Sequence, residues 1–370
     1  MTNLFKKAAV FTDIHFGLKS NSQLHNEDCL AFVHWATAKA QEEGCDTCLF
    51  LGDWHNNRAS LNIVTLNYSL RALEYLNEHF DRVLFIPGNH DLYYRDKRDI
   101  QSVEWAKHLP KVEICNDWFS DGGVVIAPWL VGDDHKRLMK MSGQYLFGHF
   151  ELPGYLMNAM VEMPDHGELQ REHLSGFHHV FTGHFHKRQT KKNITYIGNA
   201  FPHNYADAGD DERGLTVLEW GKEPTYHAWP DQPTYRVYGL ANLIDNAAKL
   251  LRPRMHVRVN LDIEISYEEA NFIKETFIQK YGVDNPSKLQ EIKEKQQNTN
   301  LEKYGVGDPF IATGTYLGET VDMVARTGLY DKIHTIELDD TLFNCTEAVL
   351  VEKQVDGEYG ETAIRCWHGE

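Results

Sequence analysis

Short apolar runs punctuate the first half of the chain, and each stops at a polar or glycine-bearing corner. Ala8–Thr12, Thr47–Leu51, Val83–Ile86, Gln144–Phe147 and His178–Thr182 are the runs concerned. Apolar stretches of this length bounded by turn residues read as buried strands of the parallel type. Between them the period changes. Asn26 caps a helical stretch to about Glu43 with apolar residues at Leu30, Val33, Trp35 and Ala38. From Leu61 to Phe80, the residues Leu61, Val64, Leu66, Leu70, Leu73, Leu76 and Phe80 recur at near-helical spacing. Strands alternating with helices predict an α/β fold, and these faces are its core.

What each strand delivers is more specific. The first run leads into Asp13-Ile14-His15 and the second into Gly52-Asp53. Val83–Ile86 passes through Pro87 into Gly88-Asn89-His90-Asp91, and the last two lead into Gly148-His149 and Gly183-His184-Phe185-His186. In open α/β sheets, ligands bind beyond the carboxyl ends of the strands. Asp13, His15, Asp53, Asn89, His149, His184 and His186 are therefore candidate metal ligands. Asp13 and His15, like His184 and His186, lie two apart and point to the same side of an extended segment. Oxygen and nitrogen donors without a converging thiolate suit divalent ions such as Mn²⁺, Fe²⁺ or Zn²⁺. Seven ligands exceed one tetrahedral ion but suit two ions sharing a carboxylate. Asp53 is the natural bridge, giving one oxygen to each. Two ions about 4 Å apart clamp the attacking and leaving oxygens of a phosphoester. Any one of these corners alone is an ordinary polar turn. Their succession is what points to a metal centre.

The order DxH, GD, GNHD, GH, GHxH resembles the calcineurin-type metallophosphoesterase superfamily over about residues 5–220. The resemblance implies a two-sheet αβ sandwich with a dimetal centre at the strand ends. One metal would take Asp13, His15, Asp53 and His186, the other Asp53, Asn89, His149 and His184. His90 would be the general acid for the leaving oxygen, with Asp91 beside it as a second catalytic residue. The protein phosphatases of the superfamily carry GDxVDRG, whereas this chain has Gly52-Asp53-Trp54-His55-Asn56-Asn57-Arg58, which argues against a phosphoprotein substrate. Gly148 to Tyr155, Gly183 to His186, Tyr196 to Asn199 and Arg213-Gly214 resemble the SbcD-like nuclease subunits of SbcCD-type DNA repair complexes, most of all the compact recombination endonuclease subunits of T4-like phages. That likeness implies Mn²⁺, with Mg²⁺, Fe²⁺ or Zn²⁺ as substitutes, DNA as substrate, an SMC-like ATPase partner and a homodimer. Many SbcD-like enzymes carry a His three residues after the bridging Asp, supporting the catalytic His. Here Asn56 holds that place, and His55 comes one residue earlier.

Composition sets bounds on this reading. A chain of 370 residues with 42% hydrophobic and 12% aromatic content is that of an ordinary globular protein. No apolar run approaches the ~20 residues that cross a bilayer. The N-terminus enters the first strand without room for a signal peptide, so the expectation is a cytoplasmic protein with no membrane partner. The 6 cysteines are irregularly spaced, and Cys45 and Cys48 read as core thiols. A net charge of −17 runs against a lone DNA-binding protein. It predicts weak, salt-sensitive DNA binding without a partner and leaves a stand-alone small-molecule phosphodiesterase or phosphatase as the alternative.

Candidate substrate contacts are Tyr93, Lys187 and Arg188 of the basic run 187–192, and His203 in the segment after Gly198-Asn199. His178, His179 and His227 lack motif context and read as structural. The nuclease domain is expected over 1–230, with a linker and the start of a small αβ capping domain over 231–280. Within the latter, a helix is expected from Leu240 to Leu251, a strand over His256–Ile263 and a helix from Tyr267 to Lys280. Residues 281–310 carry a repeated Tyr-Gly-Val, at Tyr281 and Tyr304, and read as an insertion. The C-terminal region 311–370 is the expected docking segment for the ATPase.

Overall fold

In the computed structural model, residues 3–157, 161–166 and 169–281 are described. Beyond them only the strands Phe310–Thr313, Lys332–Glu337, Glu347–Gln354 and Ala363–His368 are described. The repeat-bearing segment 282–309 lies outside the described residues, as does most of the proposed docking region. The chain divides into two compact units, residues 1–284 and 285–370.

The first unit contains β1 (Lys7–Phe11), α1 (Gln23–Glu42), β2 (Thr47–Phe50), α2 (Ile63–His79), β3 (Arg82–Phe85) and β4 (Val112–Ile114). Then come β5 (Phe119–Asp121), β6 (Val124–Ile126), β7 (Gly143–His149), β8 (Phe177–Gly183), β9 (Gln189–Lys191), β10 (Ile194–Tyr196), β11 (Gly214–Glu219) and β12 (Thr225–Ala228). They form two six-stranded sheets, ordered β12-β11-β1-β2-β3-β4 and β5-β6-β7-β8-β10-β9. β1 to β4 are parallel to one another, and so are β6, β7, β8 and β10. The fold is the expected α/β two-sheet sandwich.

Side-chain alternation along a strand explains how the layers pack. Ala8, Val10, Leu49, Leu51, Leu84 and Ile86 face the second sheet and meet Val124, Ile126, Tyr145, Phe147 and Phe181. The intervening Ala9, Phe11, Cys48, Phe50, Val83 and Phe85 face the helices, meeting Phe32, Val33 and Ala36 of α1 and Leu73 and Leu76 of α2. Cys45 and Cys48 are buried free thiols, as expected, and burial pushes Cys45 up to about 11. One boundary differs from the sequence reading. Ser22, not Asn26, caps α1, its side chain accepting from the His25 backbone N–H. Asn26 sits one turn inside, accepting from Gly17 N–H at 2.8 Å and donating to Thr65 at 3.0 Å, which ties the loop after β1 to α2.

After the sandwich, β13 (Thr234–Gly239), α3 (Leu240–Leu250) and β14 (Met255–Asn260) form a parallel βαβ unit, followed by α4 (Tyr267–Tyr281). Leu243, Ala247, Leu251 and Met255 are its small core. The second unit's strands pair as one four-stranded sheet in chain order.

Candidate metal centre

The loops after β1 and β2 continue as a pair. Asp13 N–H donates to the Gly52 carbonyl (2.9 Å), His15 N–H to Asp53 (3.1 Å) and Phe16 N–H to Trp54 (2.7 Å). This shared ladder carries Asp13, His15 and Asp53 to the same strand edge. There Asp13, His15, Asp53 and His184 all take positive φ, at 51°, 54°, 60° and 88°. Such a backbone costs on the order of 1–3 kcal/mol per non-glycine residue and concentrates at functional sites. Glycines make the close approach possible. A Cβ on Gly88 would fall 2.2 Å from Asp53 Oδ1, and one on Gly52 (φ 107°) 2.3 Å from His149 Nδ1.

All of the predicted ligands converge. Asp53 is buried at the centre: its Oδ2 lies 3.7 Å from His15 Nε2 and 3.4 Å from His149 Nε2. Its Oδ1 accepts the His90 backbone N–H at 2.9 Å. Asp53 thus stands between the two halves, where a bridging carboxylate is expected. In the first half, Asp13 Oδ1 lies 3.8 Å from His15 Nε2 and 3.9 Å from His186 Nε2. Asp13 also accepts the His184 backbone N–H at 3.0 Å. In the second half, Asn89 Oδ1 lies 3.2 Å from His149 Nε2 and 3.0 Å from His184 Nδ1.

The outer nitrogens are tied down, as ligating imidazoles require. His149 Nδ1–H donates to the Leu51 carbonyl at 2.7 Å, and His184 Nε2 meets Glu151 at 2.9 Å. The rings of both lie against Trp129, at 5.8 and 5.6 Å. A cleft beside them is lined by Trp129, Glu151, Met163 and His166. Glu151 and Trp129 were not singled out from the sequence. Glu151 follows the Gly-His motif by two residues, a signal visible only once His184 is known to be its neighbour.

The donor set fits divalent metals. Both ring nitrogens of His15 are buried with no hydrogen-bond partner, an arrangement that is costly unless another atom fills it. Asp53, His149 and His184 form one group with ligand atoms mutually within 4.8 Å, as do Asp13, His15 and Asp53. Burial pulls the His149 imidazole down, but the Asp53 carboxylate outweighs it and, with Asp13 and the Leu51 carbonyl, carries it up to about 9. Burial would raise Asp53; the His149 and His15 imidazoles instead hold it well below the usual carboxylate range. Burial also holds His15 well below its ordinary value, against the pull of the Asp53 carboxylate.

Residues 6–188 match the sequence profile of the family described as calcineurin-like phosphoesterase. They are a calcineurin-like phosphoesterase domain. The phosphoesterase is 24% identical over 222 residues to Exonuclease subunit 1 of Enterobacteria phage T4, a match covering 58% of this chain. The match spans 64% of that relative's length. Similar solved structures include a dimetal phosphatase from Danio rerio, with TM-score 0.35, 14% identity, 57% of this chain and 91% of that one. Another is nuclease MPE from Pseudomonas putida, with TM-score 0.30, 15% identity, 57% of this chain and 84% of that one. The family implies divalent metal ions and a metal-dependent phosphoesterase activity, in agreement with the ligand cluster.

Around the phosphoesterase's metal centre, the remaining predicted residues separate. His90 is half-buried beside it, its ring 5.0 Å from that of His15. Asp91, expected as a second catalytic residue, is engaged with the backbone. Its buried carboxylate accepts from the backbone N–H of Gly88 (2.9 Å), Trp54 (3.1 Å) and His55 (2.8 Å). These bonds clasp the loops after β2 and β3 together. Burial and the charge of Asp53 push the Asp91 carboxyl up to about 7, against the pull of those three donors. Arg188 is also corrected: its guanidinium lies 4.2 Å from the Tyr226 ring centroid and Nε donates to Ile197, so it packs rather than reaching for substrate. His203 is fully buried and cannot meet a substrate at the surface. Tyr93 is exposed, edge-on to Tyr94 at 4.9 Å, and Lys187 is half-buried one residue beyond His186. Among the described residues, no helix is long and apolar enough to cross a membrane.

Proposed function

We propose that this chain is the nuclease subunit of a recombination and repair complex, hydrolysing DNA phosphodiester bonds at ends with two Mn²⁺ ions. Its partner is an SMC-like ATPase, and the nuclease subunit is a homodimer. The observation that carries the reading is the double cluster sharing Asp53, with His90 anchored beside it. Asp13, His15, Asp53 and His186 would hold one ion, and Asp53, Asn89, His149 and His184 the other. When bound, the ions supply an activated water and neutralise charge on the phosphoryl oxygens.

The chain's own groups do the rest. His90, donating from Nδ1 to a backbone carbonyl, carries its transferable proton on Nε2 and gives it to the departing ribose oxygen. The Asp91 clasp keeps the loop bearing Asn89 and His90 against Asp53. Lys187 and Tyr93, outside the ligand set, are the residues proposed to contact a phosphate and a base. The similarity to Exonuclease subunit 1 supports DNA as substrate and a subunit role. The net charge of −17 favours a second reading, a phosphodiesterase of small molecules.

The test is cleavage of end-labelled single- and double-stranded DNA by the full chain in Mn²⁺, with Asp53→Ala as control and a small phosphodiester alongside. DNA cleavage that disappears in the variant is expected. Hydrolysis of the small ester alone, unchanged by an added SMC-like ATPase, would select the second reading.

A further inference from the structure

Both ring nitrogens of His203 are buried with no hydrogen-bond partner, although the side chain is 0% exposed. An imidazole left in that condition loses its water and gains nothing, so buried polar groups are almost always paired. The surroundings show what it faces. Its ring lies 5.5 Å from that of His15 and 5.3 Å from that of His186, while His15 and His186 are themselves 5.3 Å apart. One nitrogen from each of the three lies within 4.8 Å of the other two. Two of the three are already in the expected ligand set of the first ion.

The segment is built to hold His203 there. The His203 backbone N–H donates to Asp207 Oδ2 at 2.9 Å, and Asn199 donates to the same oxygen at 3.4 Å. The almost fully buried Arg213 stands 3.6 Å from Asp207 and 2.8 Å from Asp210. Another imidazole nearby, His25, is 5.4 Å from His203 ring to ring, but its Nε2 is already engaged with the His15 carbonyl at 3.0 Å. His203 alone of that pair is unengaged.

We infer that His203 is a further ligand of the first metal, beside Asp13, His15, Asp53 and His186. The inference rests on the two-metal reading above. Three imidazoles and two carboxylates would leave the first ion close to saturated. The second, with Asp53, Asn89, His149 and His184, keeps more positions open for the phosphodiester. The nitrogen-rich first site also gains more for Fe²⁺ or Zn²⁺ than for Mg²⁺.

The experiment is titration of the chelator-treated full chain with Mn²⁺ alone, by calorimetry, for wild type and His203→Gln. Two ions are expected to bind wild type in a tight and a weaker class, and the variant should lose at least about tenfold in the tight class only. Pulsed EPR of wild type with one tightly bound Mn²⁺ should count three histidine nitrogens, which decides the matter should the variant not fold. Two nitrogens, or an unchanged tight class in a folded variant, would overturn the role of His203 while leaving the two-metal reading in place. Fewer than two ions in wild type would overturn both.

Discussion

His90 Nδ1 lies 2.7 Å from the backbone carbonyl of Asn56. A carbonyl can only accept, so Nδ1 carries the hydrogen and the ring is held in one orientation with Nε2 left for chemistry. In SbcD-like enzymes this support is the expected task of a His side chain at the position of Asn56. Here the main chain performs it. His55, one residue earlier, is turned into the core, its ring nitrogens at 2.7 Å from Ser102 Oγ and 2.8 Å from Ser69 Oγ.

That arrangement separates two substitutions. His90→Ala should lower phosphodiester hydrolysis by about 10²–10⁴-fold with metal content intact. Asn56→Ala keeps the carbonyl and should retain near wild-type turnover. Rates on a phosphodiester together with metal analysis check both, and full activity in His90→Ala would remove His90 from the reaction.

Asp91 should matter through stability. Asp91→Asn would turn an amide toward backbone donors, and is expected to cost roughly 2–3 kcal/mol of unfolding free energy. Urea denaturation measures it; a midpoint matching wild type would show that the three N–H contacts do not hold the loops.

Gly88→Ala should abolish metal binding, because the new Cβ would sit 2.2 Å from Asp53 Oδ1 and 2.4 Å from its backbone nitrogen. Neither the shared carboxylate nor the strained backbone of Asp53 can withdraw without opening the cluster. Equilibrium dialysis against Mn²⁺ reads the result, and two ions bound at wild-type affinity would refute it.

Acid should weaken the fold through imidazoles outside the ligand set. Burial lowers both His25 and His55 from 6.5 to about 3, so each stays neutral in the folded chain. On unfolding below pH 6.5 they take up protons, and stability must fall as pH drops from 6.5 toward 3. Urea midpoints at a series of pH values test this. His55→Gln, with one such group removed, should show a shallower decline than wild type.

The sequence was enough for the alternation of strands and helices and, through the resemblance its motifs carry, for the double sheet and a set of candidate ligands at the strand ends. Each ligand follows its own strand within a few residues, and an apolar run ending in Gly, Asp or His is a local signal. Orientation is not local. Nothing in Gly88-Asn89-His90-Asp91 says that His90 faces the cluster while Asp91 turns back to the backbone of Gly88, Trp54 and His55. Nothing in Lys187-Arg188 says that the arginine lies on Tyr226. Nothing in the segments that carry Glu151 and His203 says that they meet the histidines, which they reach only because β7, β8 and the segment after β10 end at the same sheet edge. Which residues could act was thus written in short stretches of chain, each decided by its own strand and turn. Which of them meet, and which are used to hold the others, was decided by packing between segments far apart in sequence, where hydrogen-bond partners and burial are set only once the sheets have closed.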